Sequence, residues 1–523
     1  MALIRISLLT LLLALPLLAP AQTLRWAARG DIGSMDPHSF NEGLTDNVVG
    51  HIYEQLGRRA RDQSVEPALA ERWTVVNDTT WRFTMRAGVR FSDGTPLTAA
   101  DAVFSIERAQ QASSQQAFFA RQLGKPVLID ERIFELRLDK PNPLLLEHQL
   151  NVRIMSAAWC KAHGAERVPN FTQREEGHST RHAMGTGPFM LESFEPGVRV
   201  TLARHKTWWD RFEGNVQKLV YTPISNDATR TSALLSGGVD FVHDTPLQDI
   251  VRMAREKAVK LVTGPENRVL FFVPVMGPNE LAHASVKGAN PFRDARVREA
   301  FALAIDAETI RTKTMRGQSQ TTACPATAGI GCIARELETR PAANPDRARH
   351  LLAAAGYKDG FELTMDCPND RYVNDQAICL ATAAMLGRIG IRARVDARPK
   401  TVFFQKIERF ETSFYLLGWG GGTTDPQGIL DSILRRPEAR TQKGSYNYGK
   451  VGDAELDALI DAAGSEMNAE KRAGLLAEAQ RHVQRKHYVL PIHRQMITWA
   501  VRRNVQVTVM PDNALRAQWV RIE

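Results

Sequence analysis

The chain has 523 residues, of which 43% are hydrophobic and 24% are charged, and its formal net charge is +9. These values are ordinary for a soluble globular protein and allow two or three domains. The lysines and arginines form no block with interleaved aromatic residues, so we expect a solvated basic surface and no nucleic-acid partner.

The first 21 residues have the pattern of a cleaved signal peptide. Arg5 precedes the apolar run 8–18, and Ala19-Pro20-Ala21 is a small-x-small cleavage site. The run is too short to span a bilayer as a stable helix, although a retained anchor is the alternative interpretation. Cleavage leaves Gln22 first, which excludes lipid attachment to an N-terminal cysteine. We therefore expect a soluble, periplasmic mature protein.

Short strands, turns and helices follow in the first half of the mature chain. A helix is predicted through residues 48–56, and Thr98 to Asp101 form a capping box that begins a helix ending near Gln110. Another helix begins at Asp227 and ends at Gly237. The strands are predicted at 24–28, in a pair within 73–83, and at 133–138, 189–194, 198–204 and 239–242.

The second half contains a series in which strands and helices alternate. Asn344 caps a helix over 345–355, with Pro345 at its first position. The predicted order is then strand 361–365, helix 375–389, strand 391–397, helix 402–410 and strand 412–419. Helices at 453–463 and 469–484 and strands at 489–493 and 505–509 complete the chain. Such alternation predicts an α/β fold with a mainly parallel sheet.

The stretch Thr412–Pro426 combines a buried strand with a glycine-rich loop. Its first half is apolar without helical spacing, and Gly420 to Gly422 follow Trp419 directly. Ligands of open α/β sheets bind beyond the carboxyl ends of the strands, so this loop is a candidate ligand wall. The alternative is a tight β-to-α turn. A phosphate-binding loop is not indicated, because no Gly-Lys-Ser/Thr follows.

The five cysteines suit an oxidising compartment. The spacings of Cys324 with Cys332 and of Cys367 with Cys379 predict two short disulfide loops. Neither pair has the tight spacing and further ligands that a zinc site needs. Cys160 remains, and we expect it to be a buried small hydrophobic residue.

Enzyme signatures are absent from the sequence. It contains no Gly-x-Ser-x-Gly, Ser-x-x-Lys or His-Glu-x-x-His motif. His178 and His182 lie four residues apart in a polar segment, and we interpret them as surface residues, with metal binding as the alternative. The absence of these motifs is evidence against an enzyme, but a catalytic pair among the many Asp and Glu residues remains the open alternative. We expect no enzyme, no cofactor and no metal.

Several segments together resemble one protein family. Residues 81–105, which include Phe91-Ser92-Asp93-Gly94-Thr95-Pro96-Leu97, resemble the signature of the family 5 extracellular solute-binding proteins of ABC transporters. That family contains dipeptide, oligopeptide, nickel and glutathione binders. The resemblance continues, in family order, through 35–37, 185–189, 235–240 and 291–300, and so covers essentially the whole mature chain.

This resemblance implies an α/β fold of the type II periplasmic-binding-protein class, a two-lobed clamp with an extra N-terminal subdomain. The expected parts are a signal peptide (1–21), lobe I (22–65, 180–265 and 490–523), the extra subdomain (66–179) and lobe II (266–489). It also implies a monomer that binds a peptide or peptide-like carboxylate between the lobes and delivers it to an ABC permease. A non-peptide carboxylate, a metal chelate, or a secreted hydrolase on the same fold are the alternatives.

The resemblance also suggests binding residues. Arg371 matches the arginine that grips the peptide carboxylate in dipeptide binders, a role that suits the planar fork of a guanidinium. The aspartate that faces the peptide ammonium in those binders corresponds to Gly422 here, while Asp425 is expected to cap the next helix. A simple α-peptide is therefore disfavoured unless Glu42 supplies the charge from lobe I. The predicted site comprises Asn41, Glu42, Arg371, Trp419, Gly420, Gly421, Gly422 and Thr423.

Overall fold

The computed structural model describes residues 22–243, 245–326, 331–369, 371–420, 425–438 and 443–523. The predicted signal peptide lies outside this part of the chain, as do three predicted site residues, Gly421, Gly422 and Thr423. None of the helices within these ranges combines the length and apolar character that crossing a bilayer requires.

The strands and helices are numbered separately in chain order. The strands are β1 (Thr23–Ala28), β2 (Gly57–Arg59), β3 (Val65–Pro67), β4 (Ala70–Asn77), β5 (Thr80–Met85), β6 (Lys125–Leu128), β7 (Ile133–Arg137), β8 (Phe189–Glu195), β9 (Arg199–Arg204), β10 (Lys218–Pro223), β11 (Phe241–Val242), β12 (Val259–Pro274), β13 (Ser319–Thr321), β14 (Phe361–Pro368), β15 (Ile391–Arg398), β16 (Phe414–Trp419), β17 (Leu490–Arg502), β18 (Val505–Gln506) and β19 (Arg521–Ile522).

The α-helices are α1 (Gly43–Val49), α2 (Ala99–Ala109), α3 (Ala117–Arg121), α4 (Leu145–His148), α5 (Ala157–Ala162), α6 (His178–Arg181), α7 (Asp227–Ser236), α8 (Leu247–Met253), α9 (Ala295–Ala304), α10 (Ala307–Thr309), α11 (Pro345–Ala354), α12 (Asp375–Gly387), α13 (Lys400–Glu408), α14 (Gln427–Ile429), α15 (Ala454–Ser465) and α16 (Ala469–Lys486). Short 3₁₀ helices cover Gln149–Asn151, Phe171–Gln173, Pro291–Arg293, Arg335–Glu338 and Ala517–Trp519, and π-helical turns cover Ile310–Thr314 and Leu430–Leu434.

One mixed sheet runs through both lobes in the order β15-β14-β16-β12-β17-β11-β1-β10-β9-β8, with β13 beside β17. Within it, β14 pairs in parallel with β15 and with β16. The predicted β-α-β-α-β series is therefore confirmed as a parallel portion of the sheet. The strand β16 is buried over its first four residues, as its unbroken apolar sequence predicts.

The two long strands β12 and β17 connect the lobes. They pair in antiparallel fashion from Val259 opposite Arg502 to Phe272 opposite Leu490, and the register shifts between Pro265 and Val269. On one side of this shift β12 contributes to the core that contains Phe271 and Phe414, which defines lobe II. On the other side β17 contributes Trp499 to the core of lobe I, together with Trp26 and Tyr221. The irregular segment 265–268 thus lies at the junction of the lobes.

A separate antiparallel sheet of order β4-β5-β7-β6 lies within residues 66–179, for which we predict an extra subdomain, and that name denotes this sheet and its core. Its core includes Phe83 and Phe134, whose rings stack at a centroid distance of 5.3 Å, and it packs against α2. The predicted capping box is confirmed at the start of α2, where the Thr98 N–H donates to the Asp101 carboxylate at 2.9 Å. The strand pair predicted within 73–83 is confirmed as β4 and β5.

A buried ion pair joins the loop after β1 to helix α2. The side chains of Asp36 and Arg108 are both fully buried, and Arg108 Nη2 donates to Asp36 Oδ2 at 2.5 Å. Arg108 also contacts His38 Nδ1 at 3.0 Å and donates to the Ala165 carbonyl at 2.8 Å. Burial raises the pKa of Asp36, but the guanidinium outweighs it and holds this pKa below its ordinary value.

Both predicted disulfides are confirmed. Cys324 and Cys332 have Cα atoms 6.2 Å apart, and those of Cys367 and Cys379 are 6.7 Å apart, within the range that a disulfide spans. The second bond ties the end of β14 to α12. Cys160 is free and buried, as expected.

Some predicted bounds were wrong. The helix predicted over 48–56 is α1, which begins at Gly43 because the Glu42 side chain accepts the N–H groups of Leu44 and Thr45, and which ends at Val49. The strand predicted at 489–493 extends to Arg502 as β17, because pairing with β12 continues across the junction of the lobes. The strand predicted at 505–509 covers only Val505–Gln506.

Candidate functional site

A cleft of about 1790 Å³ lies between the lobes and is lined by residues of lobe I, the extra subdomain and lobe II. Lobe I contributes residues around α1 and the segment 512–519, and the extra subdomain contributes α3 and the segment 138–142. Lobe II contributes Arg268, Arg371, Tyr372 and the end of β16. Of the predicted residues that the structure describes, Asn41, Arg371, Trp419 and Gly420 line this cleft.

Arg371 stands in the turn between β14 and α12. The backbone N–H groups of Arg371 and Tyr372 both donate to Asp375 Oδ2 at 3.0 Å, which fixes the turn. The exposed guanidinium lies 5.3 Å from the centroid of the Tyr372 ring. It makes no hydrogen bond and no ion pair with any residue in the described ranges. Its donors are therefore available to a ligand.

A second arginine makes the surroundings of Arg371 electropositive. Arg268 belongs to the irregular segment 265–268, pairs with Glu266 at 3.0 Å, and lies 5.9 Å from the same Tyr372 ring. Partial desolvation by the walls of the cleft and the nearby charge of Arg268 lower the pKa of Arg371, against smaller opposing effects of Tyr372, Glu266 and Glu42. An anion beside Arg371 would relieve this repulsion.

Two glycines allow β16 to approach the residues around Arg371. A Cβ atom at Gly418 would lie 2.7 Å from the Tyr372 ring, whose hydroxyl donates to the Gly418 carbonyl at 3.3 Å. A Cβ atom at Gly420 would lie 2.8 Å from the Asn267 carbonyl oxygen. Gly420 therefore serves close packing of backbone on backbone, the role of glycine at a tight approach.

Trp419 and Tyr446 form an aromatic wall at the end of β16. Their rings lie 5.6 Å apart and are tilted by 58°. Both residues line the cleft, and Phe118 of the extra subdomain lines it as well, with half of its surface exposed. The cleft therefore offers apolar contact beside the charged residues.

The predicted residues of lobe I have partners of their own. The Asn41 N–H donates to Gln115 Oε1 at 3.0 Å, which joins the loop before α1 to the extra subdomain. The exposed Glu42 carboxylate accepts the N–H groups of Leu44 and Thr45 at 3.1 and 3.0 Å. Glu42 is thus a helix-capping residue that faces solvent.

Asp425 is fully engaged within lobe II. Its Oδ1 accepts the N–H of Gln427 at 2.8 Å at the start of α14, in agreement with the predicted capping role. Arg472 donates to both of its oxygens at 2.7 and 2.8 Å. Asp425 is therefore not available to a ligand.

The histidines His178 and His182 stack with a third ring. Their centroids are 4.1 Å apart, and His163 lies 4.3 Å from His178. His182 is exposed, as expected of a surface residue. No group of three or more histidine, cysteine or acidic residues in the described ranges is arranged to hold a metal ion.

Sequence reasoning missed a buried acid at the edge of the cleft. Glu54 accepts the indole N–H groups of Trp208 and Trp209 at 3.3 and 2.9 Å. Burial raises its pKa from 4.5 to about 7. The neighbouring pair Trp208-Trp209 is visible in the sequence, but the carboxylate between the two rings comes from a segment 150 residues away.

Glu54 is expected to make stability depend on pH. Between pH 4.5 and about 7 the folded protein holds a proton on Glu54 that the unfolded chain has released, so stability falls as the pH rises through this window. The loss amounts to about 3 kcal/mol. Denaturant unfolding of the wild-type protein and of Glu54→Gln from pH 4.5 to 8 measures it. A difference between the two proteins that stays constant with pH would contradict the assignment.

Comparison with known proteins places this chain in a family. Residues 64–439 match the model of the bacterial extracellular solute-binding proteins, family 5. The glutathione-binding protein GsiB of Salmonella choleraesuis is 24% identical over 513 residues, which cover 95% of this chain and 94% of that protein. Heme-binding protein A of Haemophilus influenzae is 24% identical over 491 residues, which cover 89% and 85%.

A solved structure confirms the fold. The dipeptide-binding protein of Pseudoalteromonas sp. SM9913, in complex with Met-Leu, superposes with a TM-score of 0.77 at 20% identity and covers 96% of this chain and 100% of that one. The predicted α/β two-lobed clamp of type II is thus confirmed. From the family match and this fold, the chain belongs to the family 5 bacterial extracellular solute-binding proteins.

Proposed function

We propose that this protein binds a small peptide-like solute with a carboxylate in the cleft between its lobes and delivers it to the permease of an ABC importer. The observation that carries the proposal is Arg371, an exposed guanidinium in the cleft without a hydrogen-bond or ion-pair partner in the described ranges. A planar guanidinium binds a carboxylate through paired, charge-assisted hydrogen bonds.

The surroundings of Arg371 support a carboxylate ligand. The neighbouring charge of Arg268 disfavours an uncompensated cation at this position. A carboxylate that binds there neutralises the charge of Arg371 and exchanges its hydrating water for hydrogen bonds from the guanidinium N–H groups. The wall of Trp419 and Tyr446 offers apolar surface to the remainder of the solute.

Relatives support the class of solute. Two related proteins are named for the binding of glutathione and of heme, and a protein of the same fold was solved with the dipeptide Met-Leu. Each of these molecules carries a carboxylate. In this proposal the mature protein is a periplasmic monomer and not an enzyme. Residues 266–489 form lobe II. Asn41 and Trp419 contact the solute.

Closure of the lobes on the solute tests the proposal. Native mass spectrometry of the purified protein identifies a retained small molecule, and calorimetry with a dipeptide library finds solutes that bind. Small-angle scattering is then expected to show a smaller radius of gyration at saturation, because closure brings both walls of the cleft onto the solute. Recovery of a hydrolysed product would indicate the hydrolase alternative, and an unchanged radius at saturation would contradict the clamp.

A further inference from the structure

Asp431 is a second cleft residue whose charged group has no hydrogen-bond or ion-pair partner among the residues that the structure describes, and its charge is opposite to that of Arg371. It lies on the π-helical turn Leu430–Leu434 of lobe II and lines the same cleft. Its Oδ1 atom is buried without a hydrogen bond, and no ion pair with a residue in the described ranges reaches the carboxylate. Burial raises its pKa above the ordinary value. The charged form is therefore incompletely compensated.

The basic residues near Asp431 bind a different carboxylate. Arg435 pairs with Asp461 at 2.7 Å, and Lys443 also pairs with Asp461. Burial and the like charge of Asp461 raise the pKa of Asp431, and they outweigh Lys443 and Arg435, which favour its charged form without an ion pair to it. Lys140 of the extra subdomain is close enough to influence Asp431 but forms no ion pair with it.

Other acids at the cleft lack this combination of burial and availability. Asp46 pairs with Arg153, Asp512 pairs with Arg516, and the exposed Glu438 pairs with Arg435. Glu54 accepts two indole N–H groups. Asp139 is exposed, so water solvates it at no cost. These acids pair within the protein, accept its donors, or remain hydrated.

We propose that Asp431 binds the ammonium group of a zwitterionic, peptide-like solute whose carboxylate is held by Arg371. The inference rests on the proposed function, since it assigns the opposite end of the same solute. Both residues belong to lobe II, and neither has a hydrogen-bond or ion-pair partner for its charged group among the described residues. One solute with two opposite charges would compensate both. A buried carboxylate gains most from a cation that donates hydrogen bonds, which a primary ammonium does.

The test compares Ala-Xaa dipeptides with their N-acetylated forms, which keep the carboxylate and lose the ammonium. Wild-type protein is expected to bind the free amine about 10- to 100-fold more tightly, the usual effect of one charge-assisted hydrogen bond. Asp431→Asn is expected to lose this preference. Asp512→Asn is the matched control, because Asp512 lines the same cleft but pairs with Arg516 on another part of its wall, and it is expected to keep the preference.

The outcomes separate this inference from the proposed function. Binding of neither form to wild-type protein would overturn both. Binding with an unchanged amine preference in Asp431→Asn would overturn only the role of Asp431. A third measurement uses Lys140→Met and follows closure by the radius of gyration. If Lys140→Met and Asp431→Asn impair closure equally and both keep the preference for the free amine, Asp431 pairs with Lys140 in the closed protein. The proposal would then be wrong.

Discussion

Arg371→Ala is expected to weaken binding of a carboxylate-bearing dipeptide by roughly 2–5 kcal/mol, since the ligand carboxylate would be desolvated without its partner. Arg371→Lys is expected to restore only part of this loss, because a point charge does not reproduce the fork of a guanidinium. The melting temperature without ligand is expected to stay within experimental error, because the guanidinium makes no hydrogen bond or ion pair with the described residues. Calorimetry and thermal unfolding on the same variants measure both quantities.

A different pattern would remove Arg371 from the binding site. If Arg371→Ala retains full affinity but melts at lower temperature, its contact with Tyr372 is structural and the cleft binds its solute elsewhere. N-acetylated and free dipeptides should lose affinity equally in this variant, because both carry the carboxylate that Arg371 binds. This equality distinguishes the role of Arg371 from that of Asp431.

Asp36→Ala is expected to lower the free energy of unfolding by roughly 3–5 kcal/mol. The substitution leaves the fully buried Arg108 guanidinium without its counter-charge at the contact between lobe I and the extra subdomain. Glu362→Ala is the matched control, because it removes the carboxylate of a surface pair in which Arg392 is 71% exposed and Glu362 57%. An exposed pair of this kind contributes roughly 0–1 kcal/mol.

Denaturant unfolding followed by tryptophan fluorescence measures both variants. Equal losses in Asp36→Ala and Glu362→Ala would contradict the assignment of a strong buried pair. Replacing both Asp36 and Arg108 with apolar residues is expected to recover much of the loss, because no buried charge then remains uncompensated.

Local sequence patterns predicted the elements whose causes are local. The capping box at Thr98, the proline-initiated helix after Asn344 and the apolar strand β16 all depend on neighbouring residues, and all are found. The cysteine spacings predicted both disulfides for the same reason. Short-range chemistry therefore predicted much of the parallel portion of the sheet.

Features that depend on residues far apart in the sequence could not be predicted from local patterns. The full length of β17 depends on β12, which lies more than 200 residues earlier in the chain. Arg268 and Asp431 belong to no sequence motif. Arg268 matters because the fold places its charge near Arg371, and Asp431 matters because the bases near it pair with Asp461. Arg371 was found by resemblance to a family, since a lone arginine in a loop carries no signal of its own.

The position of β17 in the main sheet has a consequence for how the chain matures. It lies between β12 and β11, so among the described strands of this sheet β17 (490–502) joins β15, β14, β16 and β12 to β11, β1, β10, β9 and β8. Lobe II also takes Leu490 and Ile492 of this strand into its core, so neither lobe is complete until residues 490–502 are present. The core of lobe I combines residues from the first 260 of the chain with Trp499 and its neighbours from the last 35. We therefore expect a truncated chain that ends before residue 490 to leave the cores of both lobes incomplete.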